Sequence, residues 1–580
     1  MESKQGREET ARQTDQNKNM KDQNTDAAGP SGLKFALVML SAFTAMFLVS
    51  LDKLIISTAI PQITNTFHSK DDIGWYGTAY LLTNCSFQLV FGKLYKFLPV
   101  KTTFLTSLLL FEAGSALCGA APNSIAFIFG RVIAGLGAGG VLPGVMVIIV
   151  YTVPLQKRPK YQGVFGAVFG VASLLGPTMG GAFTTNATWG WCFYINLPIG
   201  GAVMVLVFFL LHIPDQPGTN TTLKNKLRQV NILGFLCLIP GIVCLCLVLQ
   251  WGGTTYPWNN GRITALFIVS FLLLIAFILV QVWLPEQAIL PPRLFLQRSI
   301  ASGLWASLCV GAHQTIILYY LPIWFQAIQG QSAVKSGIDL LPMVLLTAAT
   351  SIVNGQLVSL IGYYTPYFIF GIGYQILYGF GQGLASQAPN MATQTVLPKQ
   401  DVAIGASLMF FSQTLIGAVF VSVGQNVLDA RLIKRLAGIP GISPELIQSA
   451  GATEFLDSIS TQYRMEALGG YNDSLRVVFV VALCMACLAA PGAFSMEWHT
   501  VKKKGPPKNP SAEQAAEKML GQGESSEKKT SEKYPKARAE AMAANTAEKG
   551  AYDVRDAAAV GSTVNSDVAH TTPKSKGKTA

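Results

Sequence analysis

Long apolar runs recur along the chain and restrict its fold more than any other feature of the sequence. A helix needs about 20 mostly apolar residues to cross the hydrocarbon core of a bilayer, and by that rule the chain holds about thirteen candidate spans. They centre on Ala45, Leu82, Leu110, Arg131, Ala172, Val203, Ile239, Leu273, Ala312, Ala348, Gln375, Ile416 and Val481. Only 13% of the residues are charged, about half the share in a soluble domain. We therefore predict an all-α polytopic membrane protein rather than a barrel of alternating strands.

The two ends of the chain differ in composition from its middle. Residues 1–31 are polar and have no apolar period, which predicts a disordered cytosolic N-terminus. Residues 501–580 are rich in Ala, Lys, Glu and Ser and predict a disordered cytosolic tail. No cleavable signal peptide is visible, so the run from Leu33 onward is expected to be an uncleaved first span.

Basic residues fall in alternate loops between the predicted spans, and such loops face the cytosol. They are Lys93, Lys96 and Lys101 between spans two and three, Lys157, Arg158 and Lys160 between four and five, Lys224, Lys226 and Arg228 between six and seven, and Arg293 and Arg298 between eight and nine. The net charge of +12 is therefore explained by basic residues in these loops. Nucleic-acid binding is not indicated, because it needs basic residues clustered on one face. On the opposite side Asn186 begins a glycosylation sequon with Thr188.

The number of spans conflicts with the position of the C-terminus. Lys502, Lys503 and Lys504 follow the last apolar run directly, which predicts a cytosolic C-terminus and an even number of crossings. About thirteen spans is an odd number. The segment from Leu360 to Asn390 is long enough for one span and too short for two.

Arg131 lies inside the apolar run "FIFGRVIAGLGAGGVLPGVMVIIV". A charge at this depth costs a few kcal/mol or more, so it normally faces a cavity and a partner. Asp52 lies about 27 Å into span one, and Arg131 roughly 10 Å below the outer edge of span four, so the two are at similar depth. We hypothesise a proton switch, in which a titratable carboxylate acts on a fixed cation. The alternatives are a fixed pair that only joins helices one and four, or Asp52 facing the outer water alone.

Glycines are concentrated in two of the predicted spans. Gly135 to Gly140 match a dinucleotide-binding pattern, but they lie in mid-helix, where small residues let membrane helices approach closely. In span five Pro177 bends the helix. A smooth face there would pack against the other half of the molecule, although generic helix packing is the alternative. The residues of this second motif are Gly170, Gly176, Pro177, Gly180 and Gly181.

Several polar side chains inside the spans are candidates for the wall of a substrate cavity. They are Asn84, Gln88, Glu112, His313, Gln314, Asn354, Gln375 and Gln413. Glu112 could instead be protonated and hydrogen-bonded, and His313 could sense pH or simply be bonded to a neighbouring group. No metal site is expected, since "CMAC" at Cys484 to Cys487 lacks a partner pair. No cofactor and no enzyme activity are expected either, and no nucleotide-binding loop suggests an ATPase.

Motifs along residues 33 to about 495 resemble those of the fungal drug:proton antiporters of the major facilitator superfamily, in the subfamily with fourteen spans. They are "LDKLIISTAIPQIT", "GRVIAGLGAGG", "GVASLLGPTMGG", "FYINLPIGG", "YYLPIWFQAIQGQSAVKSGIDLLP" and "NMATQTVLP". The resemblance implies helix bundles at residues 32–213 and 291–500, with a linker and two additional helices at 214–290. It also implies a monomer that exports small amphipathic compounds, such as drugs, toxins or secondary metabolites, by alternating access coupled to protons.

This sequence departs from that family at three places. Phe368 runs almost directly into Gly373, so about one helix is missing near residue 370, which agrees with the parity of the spans. Gly190 stands where members usually have an arginine. Lys96 stands where the superfamily usually has an aspartate.

Two other functions stay open at this point. The chain could be a symporter or importer of the same fold for a nutrient or an iron chelate, or a non-transporting product of the shortened region. The plasma membrane is the expected location and the vacuolar membrane the alternative, because no sorting signal distinguishes them.

Overall fold

The computed structural model describes residues 32–69, 72–213, 231–253, 256–285, 287–367, 369, 378–436, 459 and 462–502. Within this part of the chain the regular structure is helical, and eleven helices are long and apolar enough to cross a membrane. Both polar termini lie outside the described residues, as do Gln375 and the basic cluster at Lys224, Lys226 and Arg228.

The helices form two halves with a helix pair between them. The N-terminal half contains α1 (Leu33–Phe67), α2 (Ile73–Phe97), α3 (Val100–Gly119), α4 (Ser124–Thr152), α5 (Arg158–Asn186), α6 (Trp191–Tyr194) and α7 (Asn196–Leu210). The pair consists of α8 (Ile232–Trp251) and α9 (Gly261–Trp283). The C-terminal half contains α10 (Pro292–Phe295), α11 (Arg298–Ala327), α12 (Ala333–Asp339), α13 (Leu341–Ile361), α14 (Tyr378–Ala385), α15 (Ala388–Val396), α16 (Lys399–Leu436) and α17 (Arg464–Ser495).

Most of the basic residues that the sequence placed in cytosolic loops lie instead in the ends of helices. Lys93 and Lys96 belong to the last turns of α2, and Lys101, Arg158 and Lys160 to the first turns of α3 and α5. The helices are longer than their apolar cores, so they extend past the hydrocarbon and take these residues with them. A cation in the last turn of α2 is also favoured by the helix dipole.

The glycines of α4 let this helix approach two neighbours at once. A Cβ atom on Gly139 would lie 2.9 Å from the carbonyl oxygen of Asn84 in α2. One on Gly137 would lie 2.5 Å from the carbonyl oxygen of Ser107 in α3. The prediction that this stretch serves helix packing is confirmed, because backbone contacts of this kind leave no room for a side chain.

The glycines of α5 do not form the single flat face that the sequence suggested. A Cβ atom on Gly170 would lie 3.1 Å from Ala348 of α13, in the C-terminal half. On Gly176 and Gly180 it would instead meet α1, in the same half, while Gly181 has nothing within 4 Å. Gly176 follows Gly170 by six positions, a rotation of about 240° around the helix axis. Gly176 and Gly180 therefore lie on a different face of α5 from Gly170.

The helix pair α8 and α9 lies against the seam between the halves. Asn231 and Asn260 cap the two helices by accepting hydrogen bonds from Gly234 N and Arg262 N. Buried side chains of α8 share one hydrophobic cluster with α2 and with α16. These cluster members are Leu238, Ile242 and Cys246 from α8, Cys85 and Leu89 from α2, and Ile404 and Leu408 from α16.

The flanks of the shortened stretch near residue 370 lie at opposite ends of α13. Val501 N donates to Gly362 O at 2.7 Å, so the stretch begins beside the end of α17. A Cβ atom on Gly379 would lie 2.6 Å from the carbonyl oxygen of Met343, at the start of α13. Residues 368 and 370–377 lie outside the described part. The sixteen residues 363–378 between these two flanks are fewer than the about 20 that a membrane-spanning helix needs.

Candidate functional site

Asp52 of α1 and Arg131 of α4 form a buried ion pair. Arg131 Nη1 donates to Asp52 Oδ2 at 2.6 Å, and the two side chains are 1% and 0% exposed. The contact agrees with the similar depth that was predicted for these two residues. Their role in coupling protons is a separate question, because the contact alone also fits a fixed joint between two helices.

Four helices of the N-terminal half enclose this ion pair. Arg131 Nε donates to the carbonyl oxygen of Tyr76 at 3.1 Å, and the guanidinium lies 4.3 Å from the ring centroid of Tyr80. Asn196 of α7 lies close enough to interact with the Asp52 carboxylate. Asp52 Oδ1 nevertheless has no hydrogen-bond partner among the described residues. The carboxylate is thus held on one oxygen and open to a new partner on the other.

A group of aromatic rings covers the pair on its outer side. Phe127 lies one turn before Arg131, and its ring centroid is 5.1 to 6.3 Å from those of four neighbours. These neighbours are Phe67, Tyr76, Trp189 and Phe193. The sequence led us to expect a cavity beside Arg131, and in this conformation the charge is satisfied by its partner inside a closed bundle instead. A pair removed from water in this way interacts far more strongly than one in solvent.

Glu112 of α3 is a second buried carboxyl group in the same half. Its side chain lies against Gly200 of α7, where an added Cβ atom would fall 3.1 Å from Glu112 Cγ. Neither of its oxygens has a hydrogen-bond partner among the described residues. Ser115, one turn along α3, accepts from Asn196 Nδ2 at 3.2 Å. Glu112 therefore faces the interior of its own half and the surroundings of Asp52, rather than the wall between the halves.

One face of α1 is buried in its first part and exposed in its second part. Met46, Ser50, Lys53 and Ser57 share one face of α1, because their spacing of three and four residues follows the helical turn. Along this face burial ends abruptly: Met46 is 0% and Ser50 4% exposed, whereas Lys53 and Ser57 are exposed. The outer part of α1 therefore borders open space, and its inner part is covered.

The cytosolic side is closed by an ionic cluster that joins all three parts of the chain. Asp401, near the start of α16, pairs with Lys96 of α2 at 2.6 Å and with Arg293 of α10 at 2.9 Å. Lys93 donates to the carbonyl oxygens of Gln287 at 3.1 Å and Ala288 at 2.5 Å. Lys96 is the position where the superfamily usually has an aspartate, and here the C-terminal half supplies the acid. Sequence reasoning missed Asp401, since its partners are distant along the chain.

Side chains above this cluster add a second layer to the closure. Phe165 of α5 stacks on Phe410 of α16 with ring centroids 5.5 Å apart. Gln162 and Gln394 each approach the sulfur of Met146 at 3.7 Å, from the N-terminal and the C-terminal half. The halves are therefore in contact across the end of the molecule that carries these ion pairs.

The other predicted cavity residues occupy different surroundings. Asn84 and Gln88 are buried in α2. Asn354 Nδ2 donates to Leu384 O at 2.9 Å, and His313 Nδ1 lies 3.3 Å from Ala482 O, so both are bonded within the C-terminal half. The remaining candidates are placed as follows: Gln314 and Gln413 are half-buried, and Asn186 is exposed at the end of α5. Glycosylation of Asn186 stays a prediction.

Comparison with known proteins agrees with this architecture. Residues 42–421 match the Major Facilitator Superfamily. The chain is 49% identical over 509 residues to an MFS-type transporter of Claviceps purpurea, covering 83% of this chain and 88% of the relative. It is 46% identical over 499 residues to the MFS-type efflux pump MFS1 of Arthroderma benhamiae, covering 82% and 93%.

A solved structure shares the fold at low sequence identity. The proton:xylose symporter XylE aligns with a TM-score of 0.52 at 12% identity, over 81% of this chain and 97% of XylE. At that identity the likeness concerns the fold alone. The family match extends over most of the helical region, and the two relatives are aligned over nearly all of it. This chain belongs to the Major Facilitator Superfamily of transporters.

Proposed function

We propose that this transporter is a proton-driven efflux pump for small amphipathic organic compounds such as drugs, toxins or secondary metabolites. The observation that carries the proposal is the buried ion pair between Asp52 and Arg131. It combines a group that can accept a proton with a cation that cannot release one at physiological pH. The alternating-access cycle would use the gain and loss of that proton.

Protonation of Asp52 changes the energy of the closed N-terminal half. The neutral acid leaves Arg131 buried without a counter-charge, and uncompensated buried charges of this kind cost about 3–5 kcal/mol. The bundle can lower that cost by moving α1 relative to α4, so that Arg131 reaches water or another acceptor. Loss of the proton restores the attraction and favours the packing seen here.

The two sides of the molecule support an alternating-access cycle. The outer part of α1 borders open space, while the Asp401 cluster and the Phe165–Phe410 stack hold the cytosolic side together. Rocking of the halves about their interface would break these cytosolic contacts and form others outside. Contacts of Gly163 and Gly170 in α5 with α13 make that interface close enough to limit leakage.

Outward transport is supported by relatives rather than by geometry. The Arthroderma benhamiae relative is named an efflux pump. A proton crossing 100 mV releases about 2.3 kcal/mol, which sustains about a fortyfold gradient of a neutral substrate if one proton is exchanged per molecule.

We place the transporter in the plasma membrane, and imaging of a tagged full-length chain would distinguish that membrane from the vacuolar one.

The Asp52→Asn variant tests the proposal in energised vesicles or cells. We expect it to lose uphill transport of a fluorescent amphipathic dye driven by a proton gradient, and to keep downhill exchange. Asp473→Asn is the matched control, because that carboxylate is half exposed and pairs only loosely with Arg435 at 3.6 Å. Undiminished proton-driven accumulation in Asp52→Asn would refute the coupling role. Transport of the dye into cells by the wild type would support an importer instead.

A further inference from the structure

Lys53 is a cation in the middle of α1 that the proposed coupling step does not use. It follows Asp52 directly, yet its side chain leaves the helix about 100° away from that carboxylate. The side chain is exposed, although Lys53 lies within the apolar stretch Leu33–Ile60, which is long enough to cross a membrane. A lysine at this depth is costly in lipid, so its surroundings carry information about function.

The neighbours of α1 define the direction in which Lys53 points. On one side Leu54 and Thr58 contact α5, at Gly176 and Gly180. On the other side Lys53 lies within electrostatic range of Cys85 in α2. Helices α2 and α5 both touch the C-terminal half, through α16 and α13 respectively. The face of α1 between them is therefore turned toward the other half and not toward lipid.

Lys53 stands at the level where its face of α1 passes from buried to exposed. Ser50, one turn below it on the same face, is 4% exposed, and Ser57, one turn above it, is exposed. Because this face is turned toward the other half, we infer that its exposed part borders a cavity between the halves and that Lys53 lies on the floor of that cavity, next to the covered part of α1. A solute that reaches the bottom of this cavity meets the ammonium group.

No anion among the described residues is positioned to neutralise Lys53. Within the described residues it makes no ion pair and no hydrogen bond. The other charged groups at this depth, Asp52, Glu112 and Arg131, are buried inside the N-terminal half. The described acids of the C-terminal half lie near helix ends or beyond them: Asp339, Asp401, Asp429, Glu466, Asp473 and Glu497.

We propose that Lys53 binds the anionic group of the transported substrate, and that the preferred substrates are amphipathic organic acids with a carboxylate or an ionised enol or phenol. An unpaired cation inside a cavity with low-dielectric walls concentrates its field and attracts anions. A small organic molecule carrying one such group would present it to the lysine on this floor. The inference rests on the proposed efflux function and adds the chemical class of the substrate.

Two probes that differ by one charge test the inference: a diethylaminocoumarin carboxylate and its ethyl ester. We expect wild-type protein in energised vesicles to export the carboxylate faster than the ester. Lys53→Gln should lower export of the carboxylate by about tenfold and leave the ester unchanged, because a hydrogen bond to a charged group is lost. Lys53→Arg should retain most of the preference. Lys335→Gln, which removes an exposed lysine of α12, is the control for general electrostatic attraction.

A binding measurement on detergent-purified protein accompanies the transport assay. The carboxylate, and not the ester, should raise the melting temperature of the wild type, and this shift should disappear in Lys53→Gln. Equal transport of the carboxylate by wild type and Lys53→Gln would overturn the inference, as would an equal loss of both probes. Export of the ester alone would also overturn it and leave efflux standing. If the wild type exports neither probe, the efflux function fails and the inference falls with it.

Discussion

At the scale of single residues, the Asp52–Arg131 pair has opposite effects when one partner or both are replaced. Its side chains are buried at 2.6 Å from one another and lie among Tyr76, Tyr80 and Phe193. Removing one charge leaves the other without compensation in a low-dielectric interior, whereas removing both leaves only a change in packing. The pair therefore constrains α1 and α4 more than its net contribution to stability would suggest.

This asymmetry predicts that the variant lacking both charges is more stable than the variant lacking only the carboxylate. Asp52→Leu should destabilise the purified protein by about 3–5 kcal/mol, and adding Arg131→Met should recover most of that loss. Thermal unfolding in detergent measures both, and wild type with Asp473→Asn gives the baseline for an exposed carboxylate. The double variant should still lack proton-driven transport. Additive destabilisation by the two substitutions would contradict this interpretation of the pair.

At the scale of helices, α5 uses its glycines for two contacts that differ in kind. The cytosolic part meets α13 across the interface between the halves, where an added Cβ atom on Gly163 would lie 2.6 Å from Ser351 O. The outer part meets α1, where one on Gly180 would lie 2.9 Å from Ile55 O. The second contact adjoins Asp52, so α5 supports the segment of α1 that carries the proposed switch.

Two adjacent glycines of α5 give a matched test of that contact. Gly180→Val should displace α1, lower stability by about 1–3 kcal/mol and reduce transport, because overpacking costs that much in tightly packed interfaces. Gly181→Val introduces the same side chain where nothing lies within 4 Å, and should change both quantities little. Melting temperature and dye efflux are the measurements. Equal effects of the two substitutions would show that helix propensity, and not contact with α1, explains the motif.

At the scale of the whole molecule, Asp401 connects the two halves and also binds α10 of its own half. Its partner Lys96 is largely buried, with 19% of its side chain exposed, whereas Arg293 is 63% exposed. A partly shielded ion pair is stronger than an exposed one. The Lys96 contact therefore stabilises the outward-facing arrangement more than the Arg293 contact does.

Loss of these contacts should shift the molecule toward the inward-facing state. Asp401→Asn and Lys96→Met should each raise the inward-facing population severalfold, while Arg293→Gln should change it less, in line with the exposure of each pair. Pulsed electron paramagnetic resonance between spin labels at the cytosolic ends of α2 and α16 reports the opening. Distance distributions unchanged by Asp401→Asn would contradict a latching role for this cluster.

The sequence by itself determined the class of the protein and the depth of its main charges. Apolar runs of membrane-spanning length, basic residues at alternate ends, and the similar depth of Asp52 and Arg131 follow from local composition and helical rise. The glycines of α4 were also identified as packing positions, because mid-helix glycine has few other uses in a membrane.

The tertiary structure alone decided which groups face one another. Lys96 and Asp401 are 305 residues apart in the chain, and no local pattern joins them. Only the packing of α1 between α2 and α5 reveals that Lys53 faces a cavity while Asp52, its neighbour in sequence, faces the interior. Likewise, Gly170 and Gly176 of α5 belong to one sequence motif, but they lie on different faces of the helix and contact different neighbours. A helix fixes the angle between its side chains, but the neighbours at each angle are set by how the helices assemble.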